Sequence, residues 1–310
     1  MRFRNVRKRH HYKIWSFVEK PQMAHLPEDW MRIVDGEIPP DPNTARQHVR
    51  LTADCLSICN CKCDPSYPLS ASDACLARFN HSYTMPTALV LVYPSVNTLD
   101  TNGPIGVLFQ GGYSTFIAAH DEFTTSQENV TFKRDLSIAE AKDRLTEFDL
   151  LIVPGARPNH ILPFLSADGH LHELLELISA FAKLGPKSPG PPGERVLFSV
   201  CSGSYLLAAA GVLDGLTATS HRLGLGALRN LCDEYKRRTP GAKGTEVVPE
   251  NATGTVHYVD AGMNASQVRI VTSGTITTGM DATLYLISLR SGRPAAEEVA
   301  SFIGYAWREM

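Results

Sequence analysis

The sharpest chemistry in this chain lies at residues 198–204, which read Phe-Ser-Val-Cys-Ser-Gly-Ser. The apolar run Val196 to Val200 has the composition of a buried strand and leads directly into Cys201. Gly203 follows two positions on, and an Ala/Leu-rich helix is expected from about Gly203 to Ala210, closed by Gly211. Strand, sharp turn and helix in that order make a nucleophile elbow, here with a thiol as the reactive group. Gly203 would let the helix approach the strand closely. Free N–H groups at the helix start would lower the thiol pKa towards the reactive thiolate. A buried structural cysteine is the competing reading.

Three other places carry chemistry-bearing residues. Asp100, in Leu99-Asp100-Thr101-Asn102-Gly103-Pro104, could serve as general acid or base or hold a water. Beside Asn-Gly-Pro it could equally be a turn residue or helix cap. The amides of Pro154-Gly155-Ala156 could stabilise a developing anion, or the segment is an ordinary tight turn. His221, in Thr217-Ala218-Thr219-Ser220-His221-Arg222, could pair with the thiol as general base, or be a structural or surface histidine.

The elements that must position these residues are legible as apolar runs. Ala88 to Tyr93, closed by Pro94, has the continuous apolar character of a strand covered on both faces. Further strands are expected at Thr115 to Ala119, Leu150 to Val153, Val196 to Val200 and Arg269 to Thr272. Helical spacing appears from Leu171 to Leu184 and from Ala282 to Leu289, and the Pro/Gly-rich stretch Gly185 to Gly193 reads as an exposed loop. Strands alternating with helices imply right-handed crossovers and a parallel sheet. Function in such sheets gathers at the carboxyl ends of the strands, here the turns after Tyr93, Val153 and Val200.

Composition adds boundaries. The 310 residues are 43% hydrophobic and 20% charged, with 30 basic against 32 acidic side chains, so the overall balance asks for neither nucleic acid nor membrane. Residues 1–20 are locally basic (Arg2, Arg4, Arg7, Lys8, Arg9, Lys13, Lys20 against Glu19) and read as a solvated tail, with nuclear access left open. No secretory signal and no apolar run long enough for a transmembrane helix is seen, so a cytoplasmic protein is expected and the sequons at Asn80, Asn129, Asn251 and Asn264 read as chance. Residues 1–85, rich in proline and poor in periodic apolar runs, are expected to form a loosely packed or partly disordered extension to an α/β domain at 86–310. Their cysteines (Cys55, Cys59, Cys61, Cys63, Cys75) fit no standard zinc spacing, and no metal is expected.

The passage from Ser199-Val200-Cys201-Ser202-Gly203-Ser204-Tyr205-Leu206-Leu207 through Gly211-Val212-Leu213-Asp214-Gly215 to Ala218-Thr219-Ser220-His221 resembles the elbow region of the DJ-one/PfpI superfamily of glutamine-amidotransferase-like proteins. Thr272-Ser273-Gly274-Thr275-Ile276-Thr277-Thr278-Gly279-Met280-Asp281 resembles its late glycine-rich turn, and the likeness spans roughly Thr87 to Gly292. The resemblance implies a flavodoxin-like, doubly wound, mostly parallel sheet, no cofactor, a small-molecule substrate and a homodimer.

The Leu-Asp-x-x-Gly-Pro pattern around Asp100 resembles the isonitrile (isocyanide) hydratase branch, where glyoxalase-like members carry a glutamate. That branch implies attack of the Cys201 thiolate on the isocyanide carbon, proton transfer and water positioning by Asp100, and release of an N-substituted formamide. Ser202 would hydrogen-bond the thiolate or the water, His221 would assist, and Gly155, Ala156 and Gly103 would shape the oxyanion site and pocket. Four departures stand out: Pro154-Gly155-Ala156-Arg157 where the family usually has Pro-Gly-Gly, Arg222 where the branch tends to have an aromatic residue, the long amino extension, and the Gly185 to Gly193 loop. Glyoxalase- or amidase-like chemistry at the same thiol is the enzymatic alternative, and a non-catalytic redox sensor is the alternative of another class. A helix-turn-helix regulator is not expected, since fewer than 30 residues follow Leu284.

Overall fold

The computed structural model describes residues 85–165, 171–188, 193–250 and 256–309. The expected extension at 1–85, with its basic cluster and its five cysteines, lies outside the described residues apart from Met85.

Seven strands form one sheet. Their bounds are β1 (Thr87–Leu91), β2 (Ser114–Ala119), β5 (Leu136–Ser137), β6 (Leu150–Val153), β7 (Arg195–Ser199), β10 (Tyr258–Met263) and β11 (Val268–Ser273), in the order β10-β11-β7-β6-β1-β2-β5. All neighbouring pairs are parallel except the edge pair β10–β11. Two short pairs stand apart, the hairpin β3 (Phe123–Thr125) with β4 (Thr131–Lys133), and β8 (Thr217–Ala218) with β9 (Glu246–Val247).

Because both faces of the sheet are covered, successive residues of the central strands enter different cores. Leu89, Leu91, Leu151, Val153 and Leu197 pack with α2 (Ile138–Asp143), α3 (His172–Phe181), α4 (Ser204–Ala209) and α5 (Leu225–Arg238). Ala88, Val90, Leu150, Ile152 and Phe198 pack with α1 (Thr98–Gln110), α6 (Thr278–Ser291) and α7 (Arg293–Phe302). The continuous apolar runs of these strands are thus the signature of a sheet buried on two sides.

The helix α1 is where local composition misleads. Asn102-Gly103-Pro104 has turn chemistry, yet it lies inside a 13-residue helix. Asn97 starts that helix by accepting hydrogen bonds from the amides of Leu99 and Asp100. Glycine and proline in a helix interior cost about 1 and about 3 kcal/mol relative to alanine. Burial of Val107 and Leu108, and the close packing of Met280 over Gly103, work against that penalty. Among the described residues, no helix is long and apolar enough to cross a membrane.

Candidate active site

The sheet order makes β1, β6 and β7 adjacent, so the turns after them meet at one edge. The backbone stitches them together: Val200 N–H donates to Val153 O at 3.0 Å, Asn97 N–H donates to Gly155 O at 2.8 Å, and Val96 forms a bridge with Ala156. This lattice brings Asp100, Gly155, Ala156, Cys201 and Ser202 into one neighbourhood, although they are separated by up to about a hundred positions in sequence.

Cys201 occupies the elbow with φ 57°, in the left-handed region that residues with a side chain rarely adopt. Strain of this kind persists only where the surroundings hold it. Here Ser204 Oγ and Ser220 Oγ both donate to the Cys201 carbonyl at 3.1 Å, and Gly203 lies so close to β6 that a Cβ would fall 2.0 Å from Val153 O. A single 3-10 turn, Cys201–Gly203, links the elbow to α4.

Asp100 is wholly buried on the first turn of α1. Its Oδ2 accepts from Gly155 N–H at 3.1 Å, while Oδ1 is buried with no hydrogen bond of regular geometry. Burial pushes the carboxyl up to about 7, against the Gly155 amide and the Cys201 thiol, which favour the carboxylate. The thiol in turn is pushed well above its usual range, chiefly by burial and then by the charge of Asp100. The expectation of a thiol lowered by the helix start is therefore corrected. The Ser202 amide and hydroxyl do favour the thiolate, but desolvation and the neighbouring carboxylate outweigh them. Asp100 and Cys201 thus act on one another: the thiol favours the carboxylate, and the carboxylate raises the thiol.

The turn after β6 also differs from expectation. Gly155 N–H is engaged by Asp100 and Ala156 N–H by Ser202 Oγ at 3.0 Å, so neither amide is free for an oxyanion. Ser202 Oγ donates in return to the Ala156 carbonyl, so the hydroxyl that favours the thiolate is also held by the backbone of this turn. The larger anion-favouring contribution at sulfur comes from the Ser202 amide, with the hydroxyl second. Gly155 must lack a side chain, because a Cβ would sit 2.6 Å from Ser202 Oγ and 2.8 Å from Asp100 Oδ2. Gly103 lies in α1 against Met280 and is not among the residues that line the cavity.

A cavity of about 360 Å³ opens over Cys201 and Asp100, lined also by Ala156, Pro158, Tyr205, Leu223 and Ile276, with Arg157 and His221 at its wall. His221 shares the cavity but bonds elsewhere: its Nδ1 accepts from Leu223 N–H at 3.3 Å. Burial and then Arg222 push its pKa down. A neutral ring with an accepting Nδ1 carries its proton on Nε2, so His221 is a hydrogen-bond donor and not the base expected for the thiol.

Sequence reasoning passed over Tyr93, Asn97, Gln127 and Glu128. Tyr93 Oη donates to Pro154 O at 2.7 Å beneath the pair. Glu128, in the β3–β4 turn, accepts from Asn97 Nδ2 (2.9 Å), Thr98 N–H (2.8 Å), Thr98 Oγ1 (2.6 Å) and Gln127 Nε2 (2.7 Å). Partial desolvation works against its charge, but these donors hold the carboxyl down to about 2. Among the described residues no group of His, Cys, Asp and Glu is placed to hold a metal ion.

No protein-family model and no curated protein matches the sequence. Solved structures do match in fold. DJ-1beta from Drosophila melanogaster superposes with a TM-score of 0.54 at 18% identity, over 72% of this chain and 100% of that one. A ThiJ/PfpI family protein from Pseudomonas syringae gives 0.52 at 23% identity, over 72% of this chain and 76% of that one. DJ-1 of Toxoplasma gondii, in its oxidized form, gives 0.50 at 17% identity, over 72% of this chain and 100% of that one. With its mostly parallel sheet and a cysteine at the elbow after β7, the described part of the chain has the DJ-1/PfpI-like fold.

Proposed function

We propose that the chain is a cysteine-dependent hydratase that converts an isocyanide to an N-substituted formamide. The observation that carries this reading is the buried Asp100–Cys201 pair, in which a carboxyl raised to about 7 lies beside the thiol in a cavity of largely apolar walls. The isocyano group is small, uncharged and without a hydrogen-bond donor, and its terminal carbon needs both a nucleophile and a proton. A pair that shares protons supplies both. Proton transfer from Cys201 to Asp100 gives a thiolate beside a carboxylic acid without adding net charge to the buried site. Sulfur then bonds to the terminal carbon, Asp100 returns the proton to that carbon, and a thioimidate, Cys201–S–CH=N–R, results. Water displaces the sulfur, and R–NH–CHO leaves. The Ser202 amide favours the anionic sulfur, and Ser202 and Gly155 hold the geometry.

The test is formamide production from a panel of alkyl and aryl isocyanides by wild type, Cys201→Ala and Asp100→Asn. Turnover by the wild type alone supports the reading; no turnover by a folded wild type whose thiol is still alkylated above pH 9 overturns it. Turnover of glyoxals or small amides instead would select the glyoxalase- or amidase-like alternative. Redox sensing fits less well, because oxidation follows thiolate character and exposure and Cys201 has little of either. We also expect a homodimer, as the family resemblance implies, to be read by sedimentation.

A further inference from the structure

Two residues that line the cavity each carry a buried oxygen with no hydrogen bond of regular geometry. These oxygens are Asp100 Oδ1 and Gln127 Oε1. The orientation of the Gln127 carboxamide is fixed, because its Nε2 donates to Glu128 Oε1 at 2.7 Å. Turning the amide over would set two oxygens against each other across that distance. Gln127 N–H also donates to Val96 O at 3.1 Å, which ties the β3–β4 turn to the start of α1. Glu128 thus acts as a clamp: Asn97 and Thr98 hold it on one side, and it holds the Gln127 carboxamide on the other.

Leaving a buried acceptor unpaired costs about 1–3 kcal/mol, so two of them in one cavity call for a ligand with donors. An isocyanide has no N–H or O–H and satisfies neither. A water has two O–H donors and one oxygen left to react. Asp100 Oδ1 retains lone-pair capacity beside the weakly donating thiol, since each carboxylate oxygen accepts about two hydrogen bonds.

We propose that Gln127 Oε1 and Asp100 Oδ1 form a water subsite beside Cys201, and that this water is the one consumed in the second half of the hydration. The inference rests on the hydratase reading for its role, though not for its location. Donating both protons to the two acceptors turns the water's lone pairs away from them and into the cavity. Its oxygen bonds to the thioimidate carbon as the C–S bond breaks. One water proton ends on the nitrogen of the formamide, and the other returns through Asp100 to the Cys201 sulfur. Atoms balance as Cys201–S–CH=N–R plus H2O giving Cys201–SH plus R–NH–CHO.

The test compares wild type with Gln127→Met, which keeps the side-chain length but removes the acceptor, under excess of a small alkyl isocyanide. Quenched samples are weighed by intact-mass spectrometry and formamide is measured in parallel, with thermal unfolding to show that the variant is folded. The expected result is near-normal formation of the Cys201 adduct and formamide release slowed by about tenfold or more, so that the adduct accumulates. Equal release rates with no accumulation would overturn the role of Gln127. Wild-type enzyme that forms neither adduct nor formamide would instead overturn the hydratase reading and the role with it. The location has a separate readout: a crystal structure of the ligand-free wild type should show a water within hydrogen-bond distance of both oxygens, and its absence would overturn the subsite whatever the reaction.

Discussion

Replacing Asp100 by asparagine should make the protein more stable at slightly alkaline pH, by an amount that vanishes in acid. The carboxyl has a reference value of 3.8 and is raised in the folded chain to about 7. A raised folded value means that the stability associated with this group is fully present below about pH 4 and is lost as pH rises through about 7. The full span is roughly three pH units at 1.36 kcal/mol each, or about 4 kcal/mol. Of this, about 3 kcal/mol falls between pH 4.5 and pH 8, a window that avoids both acid unfolding and thiol titration. Asparagine fills the same volume, keeps an acceptor for the Gly155 amide and does not ionise. Urea unfolding of both proteins at the two pH values gives the difference directly. The expected outcome is a gain for Asp100→Asn at pH 8, relative to its position at pH 4.5, of about 3 kcal/mol. Parallel profiles, with the difference unchanged across the window, would show that Asp100 ionises as an ordinary carboxyl and would remove the proton-sharing pair from the mechanism.

The same pair governs the thiol. Iodoacetamide should alkylate native Cys201 slowly at neutral pH and faster in Asp100→Asn, since removing the neighbouring charge lowers the thiol; a slower variant would contradict the assigned cause. The hydratase kcat/KM should rise with pH up to about 7 and then level, because the reactive form is the pair that has lost one proton. A flat profile across that range would sink the shared-proton scheme. Gly203→Ala places a Cβ 2.0 Å from the Val153 carbonyl, a backbone atom that cannot give way, and should destabilise by about 3 kcal/mol or more in thermal or urea unfolding. Gly155→Ala presses on Ser202 Oγ and Asp100 Oδ2 instead, so turnover should fall further than stability does.

The central strands were legible because a strand buried on both faces must be apolar through its centre, as Ala88 to Leu91, Leu150 to Val153 and Val196 to Phe198 are. Their order was not legible, and it is the order that makes three distant turns neighbours. The placement of α1 was hidden by Asn102-Gly103-Pro104, whose local preference is overridden by the packing of Val107, Leu108 and Met280. Cys201 could be singled out from the strand, turn and glycine around it. Its ionisation could not, because the helix-start argument is local while desolvation and the charge of Asp100 belong to the folded site. Gln127 and Glu128 sit in a polar turn between two three-residue strands, and only tertiary contacts distinguish them from any other hairpin tip.

The turn at Gly155 and Ala156 supports Asp100 through one amide and Ser202 through the next. The acid and the neighbour of the nucleophile are therefore fastened to a common mount, the consecutive amides of one turn, three bonds apart across the Gly155 Cα. When that turn shifts, both side chains are carried together, so vibration of the surrounding loops displaces the site as a body while the spacing inside it is preserved. Arg157 and Pro158, which follow immediately and line the cavity, can be exchanged to suit a different substrate without retuning the spacing on which proton transfer depends.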